Sequence, residues 1–236
     1  MLRSLPEGYV DRGFVVVPGF VGSETIEALA LECSRLLELD PSEGSPGARS
    51  NVFETVGPPR LEGRPAARSE PAAFDAIRTA WPLTKEVRDV LFGERMRALV
   101  QGCLGTSTPV LFNEQYIVKR SRSGSAGAFG WHRDSDSLLR ATGENATPYV
   151  SVWVAIDDMT RSNGCLVVRP SNAPEDEVQL EVAAGTAIVM SSMVEHRSGP
   201  NATRFSRRAW MPQFSRRPIV AHGGGPVSLS VPFPEP

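Results

Sequence analysis

From Pro109 to Phe214 the chain breaks into short runs rich in Val, Ile, Leu and aromatic residues, separated by segments rich in Gly, Pro, Ser and Asn. Residues 110–118 alternate well enough for a strand. Further strand-like runs follow at 149–157, 164–168, 178–182, 186–191 and 207–214. Short strands with regular turns must cover their apolar faces and manage their edges, which predicts a β-sandwich or barrel. What precedes them differs in period. Residues 13–18 read as a strand. Ser23 is a candidate N-cap for a helix over 24–39, whose apolar residues Ile26, Leu29, Ala30, Cys33, Leu36 and Leu37 recur at helical spacing. Residues 73–104 read as two or three helices divided at Pro82. The prediction is a mainly β protein with N-terminal helices: a helical layer over about 22–104, a jelly-roll core over about 109–214, and a Pro/Gly-rich tail over 215–236. At 236 residues the chain suits one domain with a substantial core. Residues 41–72, rich in Pro, Gly, Ser and Arg, read as a long loop or a partly mobile lid.

Within this β region stands the triplet His132-Arg133-Asp134, and far beyond it His196; the chain has only three histidines. In an extended segment, residues i and i+2 point the same way. Residues 131–134 would then present an imidazole and a carboxylate side by side, and a second imidazole from a distant strand would complete a 2-His-1-carboxylate set. Such a set holds Fe(II) on one face and leaves three positions open. Taken alone, a His-x-Asp triplet more often marks a surface or hydrogen-bonded histidine. After His196 comes a Ser198-Gly199-Pro200-Asn201 turn and then the run beginning at Arg207. This layout returns a guanidinium beside the metal, and a planar, permanently charged fork suits the far carboxylate of a dicarboxylate. Arg207 and Arg208 would point to opposite faces of a strand, so only one can serve, and position favours Arg207. The third histidine, His222, lies in the tail and is not expected to be a ligand.

These elements occur in a familiar order. Trp131-His132-Arg133-Asp134, the Trp153 strand, Asn163-Gly164-Cys165-Leu166-Val167-Val168-Arg169-Pro170-Ser171, the run from Gly185, and His196-Arg197-Ser198-Gly199-Pro200-Asn201 with Arg207 follow one another along the chain. Together with the opening Gly13-Phe14-Val15-Val16-Val17-Pro18-Gly19-Phe20, they resemble the phytanoyl-CoA dioxygenase family of Fe(II)/2-oxoglutarate oxygenases over roughly residues 8–217. Two turns depart from the family pattern: Pro170-Ser171-Asn172 stands where Pro-Gly-Ser-His is usual, and Gly185-Thr186 where Gly-Asp is usual. The resemblance implies a double-stranded β-helix, with Fe(II) held by His132, Asp134 and His196. It also implies 2-oxoglutarate bound through its 5-carboxylate by Arg207 and Ser198 and packed against Trp153, with O2 as oxidant. Relatives that halogenate have a small residue in place of the carboxylate, so Asp134 argues for an oxygenase. Asn113 and Gln115 share one face of the preceding strand and are candidates to line the same cavity; they serve equally well as ordinary polar strand positions. Lys119 and Arg120 are candidates to meet an acidic group of the substrate.

Composition narrows the partners. A formal net charge of -2 gives no basic field for nucleic acid. No run of about 18 apolar residues predicts a membrane-spanning helix, and the first residues lack an apolar signal core. Three widely spaced cysteines form no Cys-x-x-Cys pair, which fits a reducing cytoplasm; Cys165 reads as core. The expected partner is a small-molecule substrate, natural-product or amino-acid-like, hydroxylated at an unactivated C–H bond by a monomer or homodimer. Desaturation, epoxidation or cyclisation with the same cofactors stays open. So does an acyl-CoA substrate, for which Arg49, Arg60, Arg64 and Arg68 could supply a basic groove. A non-catalytic β-barrel binding protein is the alternative of another class. A zinc hydrolase fits less well, because no clear general base accompanies the ligands and the distal arginine would be idle.

Overall fold

The computed structural model describes residues 8–38, 51–54 (backbone only), 85–136, 148–220 and 230–234. Helices α1 (Tyr9–Arg12), α2 (Ser23–Glu38), α3 (Lys85–Leu91) and α4 (Glu94–Leu104) accompany two sheets. The larger sheet holds β1 (Phe14–Val17), β3 (Val110–Lys119), β5 (Tyr149–Ala155), β8 (Ala187–Ser191), β10 (Arg207–Ser215) and β11 (Val231–Pro232) in the order β1-β8-β5-β10-β3-β11, with β2 (Asn51–Glu54) also paired to β3. The smaller sheet runs β4 (Phe129–His132), β9 (His196–Ser198), β6 (Leu166–Val168) and β7 (Val178–Leu180). All strand pairs are antiparallel. The fold is the jelly roll that the strand spacing predicts.

Strand β5 shows why the two sheets and the helices take these places. All seven of its residues are buried, so neither face meets water. One face, with Val150, Val152 and Val154, joins Val189, Trp210 and Phe214 against Leu29 and Cys33 of α2, Val87 and Leu91 of α3, and Met96 and Val100 of α4. The other, with Trp153 and Ala155, joins Ile188, Met190, Ala209 and Met211 against Leu166 and Val168 of the small sheet. Period-2 alternation thus sends alternate residues to a helix-facing core and to an inter-sheet core. Cys165 packs in the inter-sheet core, as its apolar setting predicts.

Four expectations need correction. Residues 119–130, whose Ser, Gly and Arg content reads as a loop leading into Trp131, are not all loop, because strand β4 begins at Phe129 and pairs with β9, itself too short to show a period in sequence. Asp134 does not lie on an extended segment. The chain turns after His132: Asp136 N–H donates to the Arg133 carbonyl, and Arg133 N–H donates back to Asp136 Oδ2, at 3.0 and 3.1 Å. Residues 41–72 are not wholly loop, since β2 pairs with β3; the lid reading and the arginines at 49, 60, 64 and 68 otherwise lie outside the described residues. The tail over 215–236 is not wholly outside the β core either. Strand β11 pairs with β3, and Phe233 stacks on Phe214 with ring centroids 5.4 Å apart. His222 lies outside the described residues.

Candidate metal centre and its cavity

Antiparallel pairing of β4 with β9 sets His132 directly opposite His196. Their ring centroids are 4.3 Å apart. The turn after β4 then swings Asp134 back, so that its Oδ1 lies 3.5 Å from His196 Nε2. One ligand atom from each of the three residues lies within 4.8 Å of the others. The donor chemistry fits a cation. His132 Nδ1 faces the Gly130 carbonyl at 2.8 Å, and His196 Nδ1 faces the Val194 carbonyl at 3.0 Å. A carbonyl oxygen only accepts, so each Nδ1 carries a proton, and in the neutral ring of that tautomer Nε2 presents the lone pair that a metal requires. Both contacts use the carbonyl two residues earlier in the chain.

The triad opens on a cavity of about 100 Å³ between the sheets, lined by Gln115, Ile117, Phe129, Trp153, Leu166, Met190, Ser198, Arg207 and Met211 as well as the three ligands. Arg207 is its most constrained wall. It is 1 % exposed, and its Nη2 donates to the Gly164 carbonyl at 2.7 Å. Its Nε and Nη1 have no protein partner. The guanidinium lies 5.3 Å from the Trp153 ring centre. Burial lowers its pKa to about 10. Directly across the β3–β10 ladder stands Lys119, wholly buried. Its ammonium donates to the Gly127 carbonyl and lies 4.6 Å from the Phe129 ring centre. Burial and the neighbouring Arg207 push its pKa down to about 7. Neither cation has a carboxylate in ion-pair contact among the described residues. Two buried basic groups, one of them with unused N–H donors, are costly alone, and an anion in the cavity beside Arg207 would offset that cost.

Arg208 points the other way and grips Asp157, with Nε to Oδ2 at 2.9 Å and Nη2 to Oδ1 at 2.7 Å. Gln115, Trp153 and Ser198 reach the cavity wall. Asn113 does not; it donates to Gln213 Oε1 at 2.8 Å instead. Lys119 is enclosed behind the wall rather than turned to an open groove. Trp131, beside His132 in sequence, is half-buried and does not line the cavity; the guanidinium groups of Arg169 and Arg197 lie 3.9 and 4.9 Å from its ring centre. Sequence reasoning missed Ser151 and Gln213, both buried and both bonded to Asp134. The available signal was a polar residue inside an otherwise apolar strand.

Gly164 seats Arg207 and tolerates no side chain. Its φ is +80°, and a Cβ would stand 2.3 Å from the Gly199 carbonyl oxygen and 3.0 Å from Lys119 Cδ. Gly164→Ala is expected to cost about 1–3 kcal/mol from backbone strain alone, lowering Tm by several degrees in thermal denaturation. An unchanged Tm would mean that the turn relaxes freely.

A jelly roll whose sheets enclose two imidazoles and a carboxylate defines the class of 2-His-1-carboxylate metal oxygenases. Within that class the chain belongs to the phytanoyl-CoA dioxygenase family, whose model matches residues 9–209. No curated protein matches it. Solved structures with the same fold include the epimerase SnoN in complex with Fe3+, alpha ketoglutarate and nogalamycin RO (16% identity, TM-score 0.65, covering 97% of this chain and 93% of that one). Another is EvdO2 from Micromonospora carbonacea var. aurantiaca complexed with 2-oxoglutarate (18%, 0.63, covering 99% and 97%). A third is the nickel complex of the non-heme monooxygenase ThoJ (21%, 0.65, covering 95% and 82%). No helix among the described residues is long and apolar enough to cross a membrane.

Proposed function

We propose that the protein is an Fe(II)/2-oxoglutarate-dependent oxygenase that hydroxylates an unactivated C–H bond of a small natural-product or amino-acid-like molecule. One observation carries this reading: a triad of two imidazoles and a carboxylate and a buried arginine with two unused N–H groups line the same cavity. A metal alone would account for the triad. A dicarboxylate that spans from the metal to the guanidinium accounts for both.

His132 Nε2, His196 Nε2 and Asp134 Oδ1 would hold the iron. Bound iron and 2-oxoglutarate together supply oxygen activation coupled to loss of CO2 and formation of succinate. The chain itself does the rest. Arg207, whose Nε and Nη1 have no protein partner, binds the 5-carboxylate through its guanidinium, and the Ser198 hydroxyl, at the same wall, donates a further hydrogen bond. Trp153 gives the co-substrate a flat apolar face. Ile117, Leu166, Met190 and Met211 exclude water from the reacting bond. Gln115, half-buried on the same wall, is a polar neighbour for the co-substrate. The relatives support the small-molecule reading, since SnoN is described with nogalamycin RO. SnoN is also an epimerase, so product analysis has to separate the gain of one oxygen atom from a product of unchanged or reduced mass.

The test is stoichiometric succinate with a screen of candidate metabolites, followed by product mass. Each turnover is expected to add one oxygen atom, and none to add chlorine even in excess chloride. Asp134 fills the position a halide would need, and its charge disfavours a neighbouring anion. A chlorinated major product would overturn the reaction class. Substrate-independent absence of succinate, with metal bound, would favour a binding protein instead.

A further inference from the structure

The two oxygens of Asp134 have different surroundings. Oδ1 faces His196 Nε2 across 3.5 Å. Oδ2 accepts from the Ser151 hydroxyl at 2.7 Å, with Gln213 Nε2 at 3.4 Å. Gln213 Nε2 also donates to Ser151 Oγ at 2.9 Å, and Gln213 Oε1 accepts from Asn113 Nδ2 at 2.8 Å. Asn113 Oδ1 in turn accepts from the Glu114 backbone N–H at 2.9 Å. The ladders bring these residues into line: Gln213 on β10 is the register partner of both Asn113 on β3 and Ser151 on β5.

The direction of every bond in this row follows from its far end. A backbone N–H can only donate, so Asn113 must present its oxygen to Glu114 and its amide N–H to Gln213. Gln213 must then present its oxygen to Asn113 and its amide N–H to Ser151. Ser151, with its oxygen already accepting, spends its one proton on Asp134 Oδ2. No member can reverse without leaving a buried polar atom unpaired, and that costs more than one ordinary hydrogen bond contributes.

We propose that Asn113, Gln213 and Ser151 are positioning residues that occupy Asp134 Oδ2 and so make the carboxylate a one-oxygen ligand. The inference rests on the metal-centre reading above. A carboxylate free to turn would offer both oxygens to the metal, taking a coordination position that a chelating co-substrate needs. The row opposes that rotation by holding Oδ2. It also gives Asn113, which misses the cavity, a definite role through Gln213.

The experiment uses the full chain, freed of metal by a chelator, with Co(II) alone as the probe. Titration reads affinity, and the visible absorption of bound Co(II) reads coordination number. Ser151→Ala and Gln213→Met are expected to weaken Co(II) binding by about 10–100-fold, the usual effect of losing a partner behind a metal ligand. They should also lower the visible absorption, as coordination number rises. Asn113→Ala, half-buried and out of contact with Asp134, is expected to shift the spectrum in the same direction with a smaller loss of affinity; it decides the matter if a core variant fails to fold. Ser151→Thr, which keeps the hydroxyl, should restore the spectrum relative to Ser151→Ala. Wild-type affinity and spectrum in Gln213→Met and Asn113→Ala would overturn the proposal, as would an affinity loss that only follows Tm with the spectrum unchanged. If the unaltered chain binds no Co(II), it is the metal centre itself that fails, and the row with it.

Discussion

His132→Ala is expected to lose metal-dependent turnover altogether and to bind Fe(II) or Mn(II) more than about 100-fold more weakly, beyond the upper end of what losing a mere partner of a ligand costs. The size of the effect follows from the geometry. The site offers three ligand atoms within 4.8 Å, and alanine leaves one imidazole and one carboxylate. No further His, Cys, Asp or Glu among the described residues joins this group to take the empty place. His132 is half-buried at the end of β4, so its removal leaves the two cores intact and the fold should persist. The measurement is Mn(II) binding on folded, chelator-treated protein, alongside succinate formation with added Fe(II). Near-normal iron-dependent activity in the variant would sink the assignment of the triad.

Arg207→Ala is expected to raise the apparent KM for 2-oxoglutarate well over tenfold. A hydrogen bond to a charged group contributes about 1.5–3 kcal/mol, and each 1.4 kcal/mol is a factor of ten. A planar guanidinium with unused N–H groups offers a carboxylate directional donors that a lysine ammonium could not copy. Arg208→Ala is the control. Its guanidinium is already committed to both oxygens of Asp157 on the other face of β10, so the variant should change KM little. Its cost should appear in Tm instead. The reverse ranking, with KM following Arg208, would mean that the dicarboxylate binds elsewhere.

Much of this was legible in the chain because the relevant physics is local. Strand runs show as β-branched and aromatic residues between turn formers, and β3, β5, β8 and β10 lie close to the predicted ranges. The alternation of Arg207 and Arg208 is a property of any strand, so their opposite faces follow once β10 is recognised. The ligand types of the triad follow from side-chain chemistry alone. The elements that escaped prediction have little local signature. Strands β9 and β11 span three and two residues, too short for a period to show, and β2 sits in a segment whose composition reads as loop. They are strands because a neighbouring strand supplies the hydrogen bonds.

The arrangement around Asp134 was decided by tertiary structure. The sequence places a carboxylate two residues after a histidine, and simple extension would bring them together; in the fold Asp136 closes a turn that does so by another route. Asn113 and Gln115 share a strand face and a residue class. Yet Gln115 meets the cavity while Asn113 meets Gln213, because the register partner of each differs on β10: Met211 opposite Gln115, Gln213 opposite Asn113. A polar residue in an apolar strand announces that it needs a partner, but not which one. Here the partners come from strands distant in sequence, so only the register of β3, β10 and β5 could reveal that Ser151 and Gln213 bond to Asp134. The chain by itself determined the donor atoms and the kind of fold that must carry them. The pairing of its strands decided which oxygen of Asp134 accepts from Ser151 and which faces His196.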